Sequence, residues 1–244
     1  MKDLEFSIYT KQGFKNIFEY LGVRKNSIVC LQMDVSFFVN LIGKEQMIIE
    51  VLQEIVGEKG CIFMPTFSYS SLDPACLDSE EYPFSSWKEI RENMCGYDVS
   101  NSMSDVYKDA SNLFLHFKNV YRSNHPVYSF AYWGHFPENI LKPEINEPLT
   151  FSSSLALLKD EKAINLLIGV NPEKALLLQA MANKYMVGQT VVQRAFVKRK
   201  KNVTKSFLVT KANLSICTDL IEGCYVREFD LENRLIYSLS LASN

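Results

Sequence analysis

Three histidines, at positions 116, 125 and 135, are the side chains of this sequence that ordinarily exchange a proton near neutral pH. His116 sits within the apolar run LFLHFKNV and reads as a helix-surface or core residue, and His135 follows Trp133-Gly134 and reads as the start of a turn or helix. His125 is different. In RSNHPVYS, Pro126 excludes the helical region for His125 and holds it extended at the mouth of a strand, where an imidazole can face a cleft and serve as a base. Six cysteines, at 30, 61, 76, 95, 217 and 224, include no CxxC pair, and no Cys/His group has zinc-ligand spacing, so no metal is expected. Cys30 and Cys61 lie in apolar runs, where a thiol behaves as a small hydrophobe. That usage fits a reducing, cytoplasmic setting.

The elements that would position these groups follow from periodicity. Phe14, Ile17, Phe18 and Leu21 recur at helical spacing after a Thr10 cap, and Gly22 ends that helix. SIVCLQM (27–33) and CIFMPT (61–66) read as buried strands joined by a helix over 45–56, whose apolar face is Met47, Ile48, Val51, Leu52 and Ile55. Strand, helix and strand with short connections make a parallel βαβ unit. From Ser68 to Ser104 the sequence loses its period, except for a short helix near 87–93, and so long an irregular stretch builds a pocket wall or lid. A helix is predicted over 105–117, a strand over 125–134, a short helix over 152–160 and a buried strand over 163–170. A further helix should run from Pro172 to about 186. VVQRAFV, KSFLVT, CYVREF and RLIYSL are strands that extend the sheet or form a small subsheet, and the basic run Lys198-Arg199-Lys200-Lys201 is a solvated hairpin turn.

With 244 residues the chain suits one large domain, 1–244. A net charge of −2 supplies no basic field for a polyanion, which argues against nucleic acid as the partner. The N-terminal MKDLEFSIYTK lacks a signal-peptide core, and no run of 18 apolar residues could span a bilayer, so no membrane partner is expected.

The segments LGVRKNSIV (21–29), VLQEIVGEKGCIFMPTFS (51–68), YRSNHPVYSFAYWG (121–134), EPLTFSSSLALL (147–158) and LLIGV (166–170), in this order, resemble the aminoglycoside 3-N-acetyltransferases. The likeness covers about residues 14–195, with the MPTFS and RS-x-HP-x-x-S pieces the most specific, and the strands of 196–244 diverge from it. It implies an α/β fold, three-layer α/β/α, with a mixed, largely parallel central sheet and additional C-terminal strands. It also implies transfer of an acetyl or other acyl group from acetyl-CoA to an amine of an aminoglycoside or amino sugar. The partners are then small molecules, and a homodimer is compatible with the family.

Such a transfer needs a base for the attacking amine and hydrogen-bond donors for the developing oxyanion. By the resemblance His125 is the base, supported by Arg122, Ser123 and Ser129, with substrate contacts from Thr66, Tyr69, Asp98, Arg122 and Ser123. Asp73, Asp98 and Asp105 are acceptor-side carboxylates or, equally, turn formers and caps. Where the family has His-Ser-Ser-Leu after its first strand, this chain has Gln32-Met33-Asp34-Val35, so Gln32, Asp34, Val35 and Ser36 are the residues expected at CoA. The family's Leu-His-x-x-Glu falls on Leu178–Ala182, which puts Gln179 in place of a catalytic His and Ala182 in place of the Glu. Met103-Ser104 stands where the family has Met-Gly, and Gly43 is a loop residue before the first crossover helix. A sugar-binding homologue without chemistry, or a carrier-protein donor in surface-polysaccharide biosynthesis, remains open at this stage.

Overall fold

The runs IVCLQM and AINLLI bury almost every residue on both faces, which places them in the interior of a sheet. The computed structural model describes residues 9–36, 38, 40–77, 82–143, 145–199, 202–231 and 234–241. In chain order its strands are β1 (Ile28–Met33), β2 (Cys61–Pro65), β3 (Tyr121–Arg122), β4 (Phe130–Gly134), β5 (Ala163–Ile168), β6 (Gln189–Val197), β7 (Val203–Lys211), β8 (Cys224–Asp230) and β9 (Leu235–Leu241). The helices are α1 (Lys11–Tyr20), α2 (Lys44–Val56), α3 (Trp87–Asn93), α4 (Lys108–Phe114), α5 (Leu176–Lys184) and α6 (Leu214–Ile221).

Seven strands form a mixed sheet in the order β3-β4-β2-β1-β5-β9-β8. The βαβ unit is present: β1 pairs parallel with β2, and also with β5, so the three central strands run together. Parallel pairing is confined to that centre, because β4 joins β2, and β9 joins β5, antiparallel. β6 and β7 stand apart as a two-stranded ribbon. The tail therefore does both things the sequence allowed, with β8 and β9 widening the sheet.

Alternation along the central strands divides the interior in two. Val29, Leu31 and Met33 point to one side and pack with Phe14, Phe18, Ile48 and Leu52 of α1 and α2. Cys30, Phe63 and Leu167 point to the other and pack with Leu177, Leu178 and Met181 of α5. Helix, sheet and helix make the three layers. Helix α2 ends as expected at Gly57, and Thr10 caps α1 through a hydrogen bond from the Gly13 N–H. No helix among the described residues is long and apolar enough to cross a membrane.

The differences from expectation are local. Helix α4 begins only at Lys108, because Ser104 and Asn112 bond to each other across the preceding loop and Tyr107 adopts φ 45°, ψ 46°. β4 starts at Phe130 rather than His125. α5 is preceded by a short 3-10 turn over Pro172–Lys174, and α6 was not predicted, although Asn213 caps it by accepting the Ile216 N–H. Lys200 and Lys201 of the basic run lie outside the described residues, while Lys198 pairs with Asp98 at 3.3 Å.

The carboxyl ends of β1, β2 and β5 open onto the irregular segment, the usual place for a ligand in a sheet with parallel strands. Gly169 sets the spacing there. It has φ +66°, and a Cβ on it would lie 2.0 Å from the Asp34 carbonyl oxygen, so the loops after β1 and β5 touch backbone to backbone. Gly169→Ala is therefore expected to cost at least about 2 kcal/mol of stability, measured by chemical denaturation, through the clash and the left-handed backbone together.

Candidate active site

A buried polar pair organises the carboxyl end of the sheet. Asn165 of β5 donates from Nδ2 to the Gln32 Oε1 and to the Cys30 carbonyl, each at 3.1 Å. The same Gln32 Oε1 accepts the Leu176 N–H at 2.8 Å, and Asn165 Oδ1 accepts the Leu177 N–H at 3.0 Å. Two strand side chains thus satisfy N–H groups that the first turn of α5 cannot pair internally. Gln32 Nε2 then donates to the Tyr107 hydroxyl and to the Lys174 carbonyl, each at 2.9 Å. Every hydrogen-bonding atom of this buried amide is used.

Three adjoining cavities lie above this network. The first, of about 530 Å³, is lined by residues 33–36, Glu45, 105–110, 169–171 and Lys174. The central one, of about 280 Å³, includes Gln32, Tyr107, Glu173, Gln179 and Cys217 in its wall. The third, of about 640 Å³, is bordered by Tyr69, Tyr82, Asp105, Tyr128, Gln193 and Lys211. Tyr107 and Lys174 line both the first and the central cavity, Tyr69 both the central and the third, and Asp105 both the first and the third. They form one cleft with two mouths and a small chamber between them.

The irregular segment does build the wall of this cleft, and ion pairing stiffens it. Asp73 is buried and receives Arg91 Nε and Nη2 at 3.0 and 2.8 Å and the Ala75 N–H at 3.0 Å, with Arg194 at 3.9 Å. Burial alone would raise its pKa, yet these partners hold the carboxyl below its ordinary value. Backbone bonds from Asp73 N–H to the Arg194 carbonyl and from Tyr97 N–H to the Phe196 carbonyl fasten the wall to the β6–β7 ribbon.

The expected site residues divide sharply. Asp34, Val35 and Ser36 line the first cavity, with Asp34 Oδ1 accepting both the Ser36 N–H at 3.0 Å and its hydroxyl at 2.6 Å. Tyr69, Gln179 and Asp105 also line the cleft, and Gln179 donates from Nε2 to the Thr210 carbonyl on β7. Gln32 borders the central chamber, with both ends of its amide bonded within the protein. Thr66, Ser123 and Ser129 are fully buried in the scaffold: Ser129 Oγ donates to the Thr66 carbonyl at 2.8 Å, and Ser123 Oγ accepts the Phe130 N–H at 2.9 Å. Arg122 grips the Thr66 carbonyl at 2.7 Å and Ser68 Oγ at 3.0 Å, bonds the Ser102 carbonyl, and lies 5.3 Å over the Tyr97 ring. Asp98 organises its own turn, accepting the Ser100 N–H, and meets Lys198 away from the cleft. None of Arg122, Ser123, Thr66 and Asp98 lines the three cavities.

His125 lies outside the three cavities. Its ring is fully buried, and Nδ1 already accepts the Val127 and Tyr128 N–H groups at 3.1 and 2.8 Å. That fixes the proton on Nε2, which points at the Ile145 carbonyl 3.2 Å away, and the ring packs edge-on against Phe207 at 4.8 Å. Burial lowers its pKa to about 4, against the opposing pull of the Ile145 carbonyl. With its one lone pair occupied, this imidazole has no capacity to take a proton from a substrate. His116 and His135 are exposed and line none of the three cavities.

Residues 32–209 match the family described as aminoglycoside 3-N-acetyltransferase. The chain belongs to the aminoglycoside 3-N-acetyltransferase family. A Bacillus subtilis (strain 168) relative, the SPbeta prophage-derived aminoglycoside N(3')-acetyltransferase-like protein YokD, is 30% identical over 171 residues, a match spanning 66% of this chain and 60% of that relative. The crystal structure of YokD superposes with a TM-score of 0.84 at 22% identity, covering 96% of this chain and 90% of YokD. AAC-IIIb in binary complex with CoASH gives 0.75 at 16% identity, covering 96% and 92% of the two chains. AAC-VIa bound to sisomicin gives 0.75 at 17%, covering 96% and 93%. These structures share the fold of this family member.

Sequence reasoning passed over Tyr107, Asn165, Glu173 and Lys174. Asn165 was discoverable, as the one polar residue in the buried run AINLLIGV; Tyr107 and Lys174 fell inside stretches read as helices, where nothing in their residue type marked them out. The place found for His125 makes a stability prediction. Its folded pKa lies below its unfolded value of about 6.5, so the unfolded state binds the extra proton. The stabilisation is complete above that value and is lost as pH falls toward 4. His125→Ala strands two buried N–H groups and should lose about 2–4 kcal/mol in denaturant unfolding at pH 7. Unchanged stability with abolished turnover would instead make His125 a reacting group.

Proposed function

We propose that the protein is an N-acyltransferase that carries an acetyl group from acetyl-CoA to an amino group of an aminoglycoside or amino sugar. What supports this is the cleft's form: two mouths of unlike lining that meet in a chamber too small for either whole substrate. The donor enters through the cavity bounded by Asp34, Val35, Ser36 and the Gly169 turn. Lys108 and Lys174 there face Asp34, Glu45, Asp105 and Asp109, so charge does not favour drawing phosphates deep into the lobe. The neutral pantetheine arm reaches inward while the anionic end of CoA stays at the mouth. The related AAC-IIIb complex with CoASH supports the choice of donor. Six free cysteines suit a reducing, cytoplasmic setting where such a donor is made.

The acceptor enters from the side of Tyr69, Tyr82 and Tyr128, whose rings offer flat apolar surface for a sugar, with Asp105 as the counter-charge for its ammonium. The sisomicin complex of AAC-VIa supports an aminoglycoside-like acceptor. Amine attack on the thioester carbonyl drives negative charge onto the carbonyl oxygen, and a positioned hydroxyl stabilises it. Tyr107 serves that role: its oxygen accepts from Gln32, which leaves its O–H free to donate at the boundary of donor lobe and chamber. Burial, partly offset by the Gln32 bond, raises its pKa, so it stays a protonated donor.

Purified protein given acetyl-CoA and a panel of aminoglycosides and amino sugars should release free CoA thiol with at least one acceptor; sugar binding with neither CoA affinity nor release would sink the transferase reading. Tyr107→Phe should lower kcat about 10²-fold with little change in either KM, the pattern of a lost oxyanion donor. Asp105→Asn should raise the acceptor KM about tenfold and leave the donor KM unchanged or lowered, since one carboxylate of the donor cavity is neutralised, as steady-state kinetics with each substrate varied would report.

A further inference from the structure

The acyl transfer proposed above needs a proton acceptor, and none of the three imidazoles reaches the cleft. The other titratable groups of the central chamber are poor acceptors at neutral pH. Tyr69 is pushed up to about 12 and Tyr107 is raised, in both cases chiefly by burial of the phenol end. Cys217 is raised by burial and then by the nearby Glu173 carboxylate, and Lys174 is a cation. Among the described residues, Glu173 is the one carboxylate in the chamber wall.

Its setting is unusual. Pro172 and the Asn171 side chain, which accepts the Glu173 N–H at 3.3 Å, start the turn that carries it between β5 and α5. The Gln32 bond to the Lys174 carbonyl holds the same turn from below. The side chain is half-buried, and its Oε2 is shielded from solvent yet has no hydrogen-bond partner. A buried acceptor atom without a donor is costly and calls for an explanation. Asp105, a carboxylate of the two neighbouring cavities, differs on this point: its Oδ2 already accepts the Ser70 N–H at 2.8 Å.

We infer that Glu173 is the catalytic base of this protein, occupying functionally the place that the Gln179 amide cannot fill. The inference rests on the acyltransferase reading and names the group that completes it. An incoming ammonium gives its first proton to solvent. The amine nitrogen then attacks the thioester carbon, forming the C–N bond and placing negative charge on oxygen beside Tyr107. The second proton, now on a positively charged nitrogen, passes to the Glu173 carboxylate. The intermediate collapses, the C–S bond breaks, and the departing thiolate takes that proton from Glu173, leaving amide, free thiol and the regenerated carboxylate.

The test is steady-state kinetics on the full chain with acetyl-CoA and the best acceptor from the panel. Glu173→Gln should lower kcat about 100-fold or more with both KM values within a few-fold of the parent, while the thermal melt stays unchanged. Glu173→Asp should recover part of that loss. Gln179→Glu, by contrast, should restore turnover to the Glu173→Gln protein if its carboxylate reaches the same amine. Parent turnover that survives in Glu173→Gln overturns the base assignment alone. A parent that releases no thiol with any acceptor overturns the transferase reading and this assignment with it.

Discussion

Two side-chain amides, Gln32 and Asn165, hold the functional end of the molecule together. They meet diagonally across adjacent parallel strands in the interior, Asn165 standing opposite Cys30, and an unpaired amide there would cost about 1–3 kcal/mol, so the pairing is strongly enforced. From it the start of α5, the Lys174 turn and the Tyr107 hydroxyl all take their positions. Loss of either amide would leave several polar atoms stranded at once, which is why the arrangement behaves as a unit.

The departures of this chain from its family make sense on that basis. A glutamine at position 32 is a competent brace because it has both a donor and an acceptor end, each used twice here. The amide at 179 keeps a hydrogen bond to Thr210 but offers no basic lone pair. The central chamber retains one carboxylate whose oxygen nothing else occupies, and a phenol whose proton is free to point inward.

Much of the scaffold was legible from the residues. The alternation of Val29, Leu31 and Met33 against Cys30, and the helical face of α2, follow from burial on two sides of a sheet, and the order of segments named the family. The individual roles were less legible. His125, Arg122, Ser123 and Thr66 were marked by residue type and motif, and each proved to be committed inward, because a recurring polar motif can serve a turn as readily as a reaction. Tyr107 lay in a loop where only the folded chain shows that its hydroxyl meets Gln32, residues 75 positions apart. Long-range pairing of that kind leaves no local periodicity to read.

The β6–β7 ribbon has an implication for how relatives of this chain can vary. It binds the wall through backbone contacts at Leu72–Ala195 and Tyr97–Val197, and the described ends of its turn are docked there too, the Lys198 N–H donating to the Tyr97 carbonyl and Asn202 Nδ2 to the Met94 carbonyl. Met94 also borders the tyrosine-lined cavity, so residues inserted or removed beside Lys198 or Asn202 would pull on the rim of that mouth as well as on the ribbon. Chain length at this tip is thus tied to the outline of the mouth, which makes it a poor seam for grafting a tag or a second module.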